Sequence, residues 1–95
     1  MIEVSVRNDS ISISGHAGYA ENGKDIVCAG VTALTQTLIK SIEDLTNDKI
    51  KYEISPGRAD IKWRNLSDRS KNLVDSFFIG INMIADEYPD FVRIV

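Results

Sequence analysis

The sequence predicts an α+β fold of order ββαββαβ, a largely antiparallel sheet with two helices packed on one face. Three observations lead there. Two pairs of short segments alternate apolar and polar residues around turn-forming residues, the pattern of hairpins with one wet face. Two longer segments repeat apolar residues every three or four positions, the period of a helix with one buried side. Each hairpin precedes one helix, so both helices can cover the apolar side of a single sheet.

The elements follow in order. Ile2, Val4 and Val6 point one way and Glu3 and Ser5 the other; Ile11 and Ile13 alternate with Ser10, Ser12 and Ser14, and Asn8-Asp9 supplies the turn between them. Residues 15–25, GHAGYAENGKD, form a loop with three glycines. Asp25 is placed to cap the next helix, whose stripe is Val27, Val31, Leu34, Leu38, Ile42 and Leu45. Ile50, Tyr52 and Ile54, then Ala59, Ile61 and Trp63, make a second hairpin around Pro56-Gly57. Ser67 or Asp68 caps the second helix, with Leu73, Val74, Phe77, Phe78, Ile81, Ile84, Ala85 and Tyr88 facing inward. Pro89 ends it, and Phe91 to Val95 reads as a last strand. Ile79 and Met83 stand one turn apart off the main stripe, either as scattered exposed apolar residues or as part of a homodimer contact.

Length and composition bound the function. The 95 residues hold one domain, 1–95, with a thin core. Hydrophobic residues at 43% and charged residues at 26% are those of an ordinary folded protein. The net charge of −3 argues against broad electrostatic binding to nucleic acid or to an anionic membrane. No apolar run approaches the ~18 residues of a membrane span, and the first residues lack the pattern of a signal peptide. The single cysteine, Cys28, can form no internal disulfide and no Cys-rich zinc site. The expectation is therefore a cytoplasmic protein without a metal.

The chemistry concentrates between Ile13 and Gln36. This stretch holds the only histidine, His16, and the only cysteine. Cys28 falls at the third position of a helix capped by Asp25, where free N–H groups and the helix dipole favour a thiolate. An imidazole nearby can take the thiol proton, as in acyl transfer. At about 100° per residue, Cys28 lies roughly 85° from the centre of the apolar stripe, at the border of the buried face. Thr32 and Ile39 share that side and are expected to line the same cleft. The bland alternatives are a core cysteine and a structural histidine. Asp25 either caps the helix or orients His16 as a third catalytic member, and a cap bonded to the Cys28 N–H competes with use of that N–H as an oxyanion donor. Residues 18–25, GYAENGKD, miss a nucleotide-binding P-loop by having Asp25 where Ser or Thr should hold magnesium. The glycines fit a mobile substrate loop or a tight connection needing positive φ.

Gly15-His16-Ala17, then Asp25-Ile26-Val27-Cys28-Ala29, then Val31-Thr32-Ala33-Leu34-Thr35-Gln36, resemble the bacterial ribosomal-processing cysteine proteases, called Prp. The resemblance covers essentially the whole chain. Gly30 stands where that family commonly has alanine, and Thr32, where it commonly has serine, keeps the hydroxyl. The resemblance implies His16 as general base, Cys28 as nucleophile and Asp25 as the acidic position before it. With the loop reading, it puts substrate contacts at Gly15, Ala17, Gly18, Gly23 and Thr32. It implies an endopeptidase, without a cofactor, that removes a short N-terminal extension from the precursor of large-subunit ribosomal protein twenty-seven. It also implies a homodimer. The competing classes are a non-enzymatic ribosome-associated binding module and a thiol redox sensor.

Overall fold

The structure is a computed structural model describing residues 1–95. Its elements are β1 (Ile2–Val6), β2 (Ser10–Ser14), α1 (Ile26–Leu45), β3 (Ile50–Ser55), β4 (Arg58–Trp63), α2 (Asp68–Glu87) and β5 (Val92–Ile94). The five strands form one mixed sheet of order β3-β4-β2-β1-β5. All neighbours are antiparallel except β1 and β5, which run parallel through Ile2↔Val92 to Val4↔Ile94. The order and the helical layer are those the hydrophobic pattern predicts.

Alternation along the strands decides which face is dry. Ile2 and Val4, Ile11 and Ile13, Ala59 and Ile61, and Val92 are buried from their successive strands. They meet Val27, Val31, Leu38, Ile39 and Ile42 of α1 and Val74, Phe77 and Ile81 of α2 in a single hydrophobic cluster. The helices approach each other at glycines. An added methyl at Gly80 would lie 2.9 Å from Leu34 Cδ1, and one at Gly30 would lie 3.3 Å from Ile84 Cδ1.

Two details depart from the sequence pattern. Tyr52 and Ile54 lie opposite Ile61 and Ala59, on the core side of the sheet, yet are 45% and 49% exposed. Two helices side by side span about 20 Å, whereas five strands span about 24 Å, so the edge strand β3 escapes cover. On α1, Thr35 and Ile39 are buried and Leu45 is 56% exposed. This helix packs against both the sheet and α2, so its buried arc is wider than a single stripe and closes before its last turn.

A polar junction fixes the far end of the helical layer. Asp48, just before β3, accepts hydrogen bonds from the Ser67 N–H and Oγ and from the Ser70 hydroxyl. Ser67 is the cap of α2, and Ser70 is fully buried. One carboxylate thus satisfies the helix start and joins it to the chain leaving α1.

The packing separates two residues of the apolar stripes. Ile81→Ala, at a site with no exposure, is expected to lower unfolding free energy by about 2–5 kcal/mol in urea titration. Leu45→Ala, in the exposed last turn, is expected to change it by less than about 1 kcal/mol.

Candidate active site

Strand β2 ends at Ser14, and Gly15 turns the chain out of the sheet with φ of +97°. Nothing larger fits there, because a Cβ would stand 2.2 Å from the Met1 carbonyl oxygen. His16 follows, exposed at the rim of the sheet. The Gly15 N–H donates to the Gly57 carbonyl at 2.8 Å, which draws the β3–β4 turn beside the imidazole. A Cβ at Gly57 would lie 2.6 Å from His16 Nε2, so the ring rests directly against this turn.

The loop then returns to α1 through Asp25. Its Oδ1 accepts the Val27 and Cys28 N–H groups, each at 3.0 Å, and so caps the helix. Its Oδ2 accepts the Tyr19 N–H at 3.0 Å and the Ala20 N–H at 3.3 Å. One carboxylate therefore gathers four backbone donors from both ends of the loop. Tyr19 adds a second tie, packing edge-on against Tyr88 at 5.4 Å and Phe91 at 5.3 Å between ring centres.

This arrangement brings the sulfur to the strand end. The Ala17 N–H donates to Cys28 Sγ at 3.4 Å. Cys28 is half-buried at the border of the apolar face. His16 and Cys28 line the same two adjoining depressions, of about 300 and 800 Å³. Gly15 lies in the smaller one, Gly18 and Gly23 in the larger, and Thr32 in both. Ala17 is buried behind the sulfur and contributes its N–H rather than a wall.

The expectation for Ile39 fails. It is 5% exposed and belongs to the core, because the same side of the helix is covered by the sheet about two turns beyond Thr32. Asp25 directs its hydrogen bonds to backbone donors, and none runs to His16. The Cys28 N–H is accordingly engaged by the cap. The sequence reading missed Asn22, Ile54 and Pro56 as cleft walls, along with Gly57. Pro56-Gly57 was legible as a turn, but its contact with His16 spans some forty positions and leaves no local signature.

The larger depression is bounded by the glycine loop and by Ala29, Thr32 and Ala33 of α1. The smaller one is walled by Ile13, Val31, Ile54 and Ala59, with Gln36 and Arg58 at its polar margin. An extended peptide passing over Cys28 would have small residues on one side and an apolar recess on the other. No group of three or more His, Cys, Asp or Glu side chains is arranged to hold a metal.

Two predictions follow from these contacts. Gly57→Ala places a methyl on the imidazole and forces a side chain into φ of +72°. The protein is expected to fold with a cost of about 1–2 kcal/mol, and alkylation of Cys28 by iodoacetamide at neutral pH is expected to slow. For Asp25, the Cys28 N–H, aided by those of Ala20, Tyr19 and Val27, outweighs desolvation and holds the carboxyl below its ordinary 3.8. Its contribution to stability is intact above about pH 4 and is lost as pH falls through the lowered value. The urea midpoint should hold steady from pH 7 to 5 and drop below pH 4, with a shallower drop in Asp25→Asn.

Comparison with known proteins agrees with this fold. The family model described as cysteine protease Prp matches residues 1–93. The ribosomal processing cysteine protease Prp of Bacillus subtilis is 26% identical, over 99% of this chain and 96% of that protein. The Mycoplasma genitalium protein of the same name is 28% identical, over 99% of this chain and 94% of its own length. The crystal structure of Prp from S. aureus with a covalently linked product peptide superposes with a TM-score of 0.89 at 23% identity, covering 98% of this chain and 94% of that one. A matching fold, a lone cysteine at a helix start beside a lone histidine, and a family match across nearly the whole sequence lead to one conclusion: this chain belongs to the Prp family of cysteine proteases.

Proposed function

We propose that this protein is an endopeptidase that removes the short N-terminal extension of the large-subunit ribosomal protein twenty-seven precursor, with Cys28 as nucleophile and His16 as base. The observation carrying this reading is the shared cleft, in which the sulfur and the imidazole line the same walls. The Ala17 N–H donates to the sulfur and ties it to the strand end that carries His16.

The reaction runs as follows. His16 accepts the Cys28 proton and becomes imidazolium. The thiolate attacks the scissile carbonyl, and the carbonyl oxygen becomes an oxyanion. Because the Cys28 N–H serves the Asp25 cap, the Ala17 N–H is the backbone donor already beside the reacting sulfur. Collapse of the intermediate breaks the peptide bond, and the imidazolium gives its proton to the leaving amine. A water, deprotonated by His16, then attacks the thioester and restores the thiol.

Asp25 acts here as a positioning residue. It holds loop and helix in register rather than touching the reacting atoms. Gly15, Gly18, Gly23 and Thr32 supply the walls past which an extended peptide runs, and Ala17 lies under its backbone. The mechanism needs no cofactor, and the proposed setting is the cytoplasm. No helix is long and apolar enough to cross a membrane. A second copy of the chain is the proposed partner for Ile79 and Met83, exposed at 63% and 67% on adjacent turns of α2.

The test is incubation of the protein with the full-length ribosomal precursor under reducing conditions, followed by mass measurement. The expected result is a single cut near the precursor's N-terminus. Cys28→Ala should abolish it with the fold retained, and His16→Ala should slow it by about 10²–10⁴-fold. An uncut precursor with folded enzyme overturns the substrate assignment, and undiminished cutting by Cys28→Ala overturns the mechanism.

A further inference from the structure

The net charge of −3 conceals how the charges are sorted. Of the eleven Lys and Arg residues, Lys24, Lys40, Arg58 and Arg93 form ion pairs with acids. The other seven are Arg7, Lys49, Lys51, Lys62, Arg64, Arg69 and Lys71, all exposed and all at the end of the sheet opposite Cys28. That end gathers the close of β1, the close of β4, the start of β3 and the first turn of α2.

Five of these cations belong to the solvent face of the sheet. Lys51 lies directly opposite Lys62, and Lys62 opposite Ser10. Lys49 and Arg64 flank the Ile50↔Trp63 pair one residue beyond the ladder. Arg7 follows β1 and bonds through its N–H to the Ser10 carbonyl. The acids of this face, Glu3, Glu53 and Asp60, lie toward the catalytic end, where Arg93 and Arg58 neutralise two of them. A groove of about 550 Å³ at the hairpin contains Lys49, Lys51, Lys62 and Arg64 with Asn47 and Asn65. Its one acid, Asp48, is tied to Ser67 and Ser70. The nearest other acids are Glu53 and Asp60, one rung along from Lys51 and Lys62, Asp9, two residues from Arg7, and Asp75, which shares a depression with Arg7 and Arg64.

Two cationic rungs about 5 Å wide and ~7 Å apart repel each other and cost the fold stability. Lysine on an edge strand guards against pairing with other chains. That role accounts for Lys49 and Lys51 on β3, but not for Lys62 and Arg64 on the interior strand β4. Asp60, one rung along, attracts Lys62; an anion lying between the two cationic rungs accounts for Lys62 and Arg64 together.

We propose that the solvent face of the β3–β4 hairpin, with Arg7, binds the phosphates of an RNA strand without reading its sequence. Serines separate the charges of this face, Tyr52 alternates to the other side, and the two apolar residues of the groove, Ile50 and Trp63, are half-buried. Protein partners select against lysine and for apolar centres, whereas phosphate backbones select for a flat cationic polar surface. The choice of RNA rests on the proposed ribosomal substrate; the phosphate affinity does not. Bound this way, the protein would present its cleft at the opposite end, free for a peptide.

Fluorescence anisotropy with a labelled 20-nucleotide single-stranded RNA and the full chain tests this without any peptide present. About four phosphate contacts predict roughly a 50-fold loss of affinity between 50 and 200 mM salt. Lys51→Glu/Lys62→Glu should weaken binding at 50 mM by about tenfold or more, with cutting of a free peptide unchanged. The milder Lys49→Gln/Arg64→Gln, checked for fold by circular dichroism, should flatten the log–log salt slope by about 1.4. No binding at 50 mM, or binding indifferent to both pairs, overturns the proposal. Tighter binding of a poly-glutamate peptide identifies an acidic protein as the partner instead, and tighter binding of the same strand as DNA overturns the assignment to RNA. Failure of precursor cleavage with RNA binding intact would count against the substrate alone.

Discussion

A single carboxylate organises the catalytic end of this molecule. Asp25 bonds to the first turn of α1 with one oxygen and to the loop leaving β2 with the other. Without it, the helix start would leave orphan donors and the glycine loop would lose its fixed return point. With it, the Ala17 N–H meets the sulfur and His16 is delivered to the same cleft. Cap and triad member were alternatives in the sequence; the geometry shows the cap in place, its acceptors directed to the backbone.

In the proposed mechanism, the cost of this design falls on the oxyanion. Helix N-termini commonly stabilise anions through the N–H of the residue that carries the nucleophile. Here that N–H is spent on Asp25, and the donor at the sulfur comes from the strand side. The β3–β4 turn completes the enclosure from a third direction, with Gly57 held to Gly15 and pressed on the imidazole. Three separate stretches of a short chain thus make a cleft that no one of them could form.

Much of the fold was legible because alternation and helical period both follow from which side must be dry. The order of elements and the polar face of the hairpins come from that one constraint, and the Asp25 and Ser67 caps from the acceptor side chains that precede each helix. What escaped were facts of area and distance. Periodicity marks Tyr52 and Ile54 as core-side residues, but only the width of two helices against five strands reveals that they stay wet. It likewise places Ile39 near Cys28 around the helix, without showing that the sheet covers it. In the site, His16 and Cys28 stood out by being unique and close in sequence. Pro56 and Gly57 join them from far along the chain, and only the sheet register puts them there.

The central claim is covalent: during turnover the substrate's acyl group is carried on Cys28. Rapid acid quenching of the protein mixed with precursor, followed by intact and peptide-level mass spectrometry, addresses it directly. The account predicts a transient mass increase equal to the released N-terminal fragment less water, mapped to Cys28 and prolonged when His16 is replaced. Product accumulating while Cys28 is never modified would contradict it.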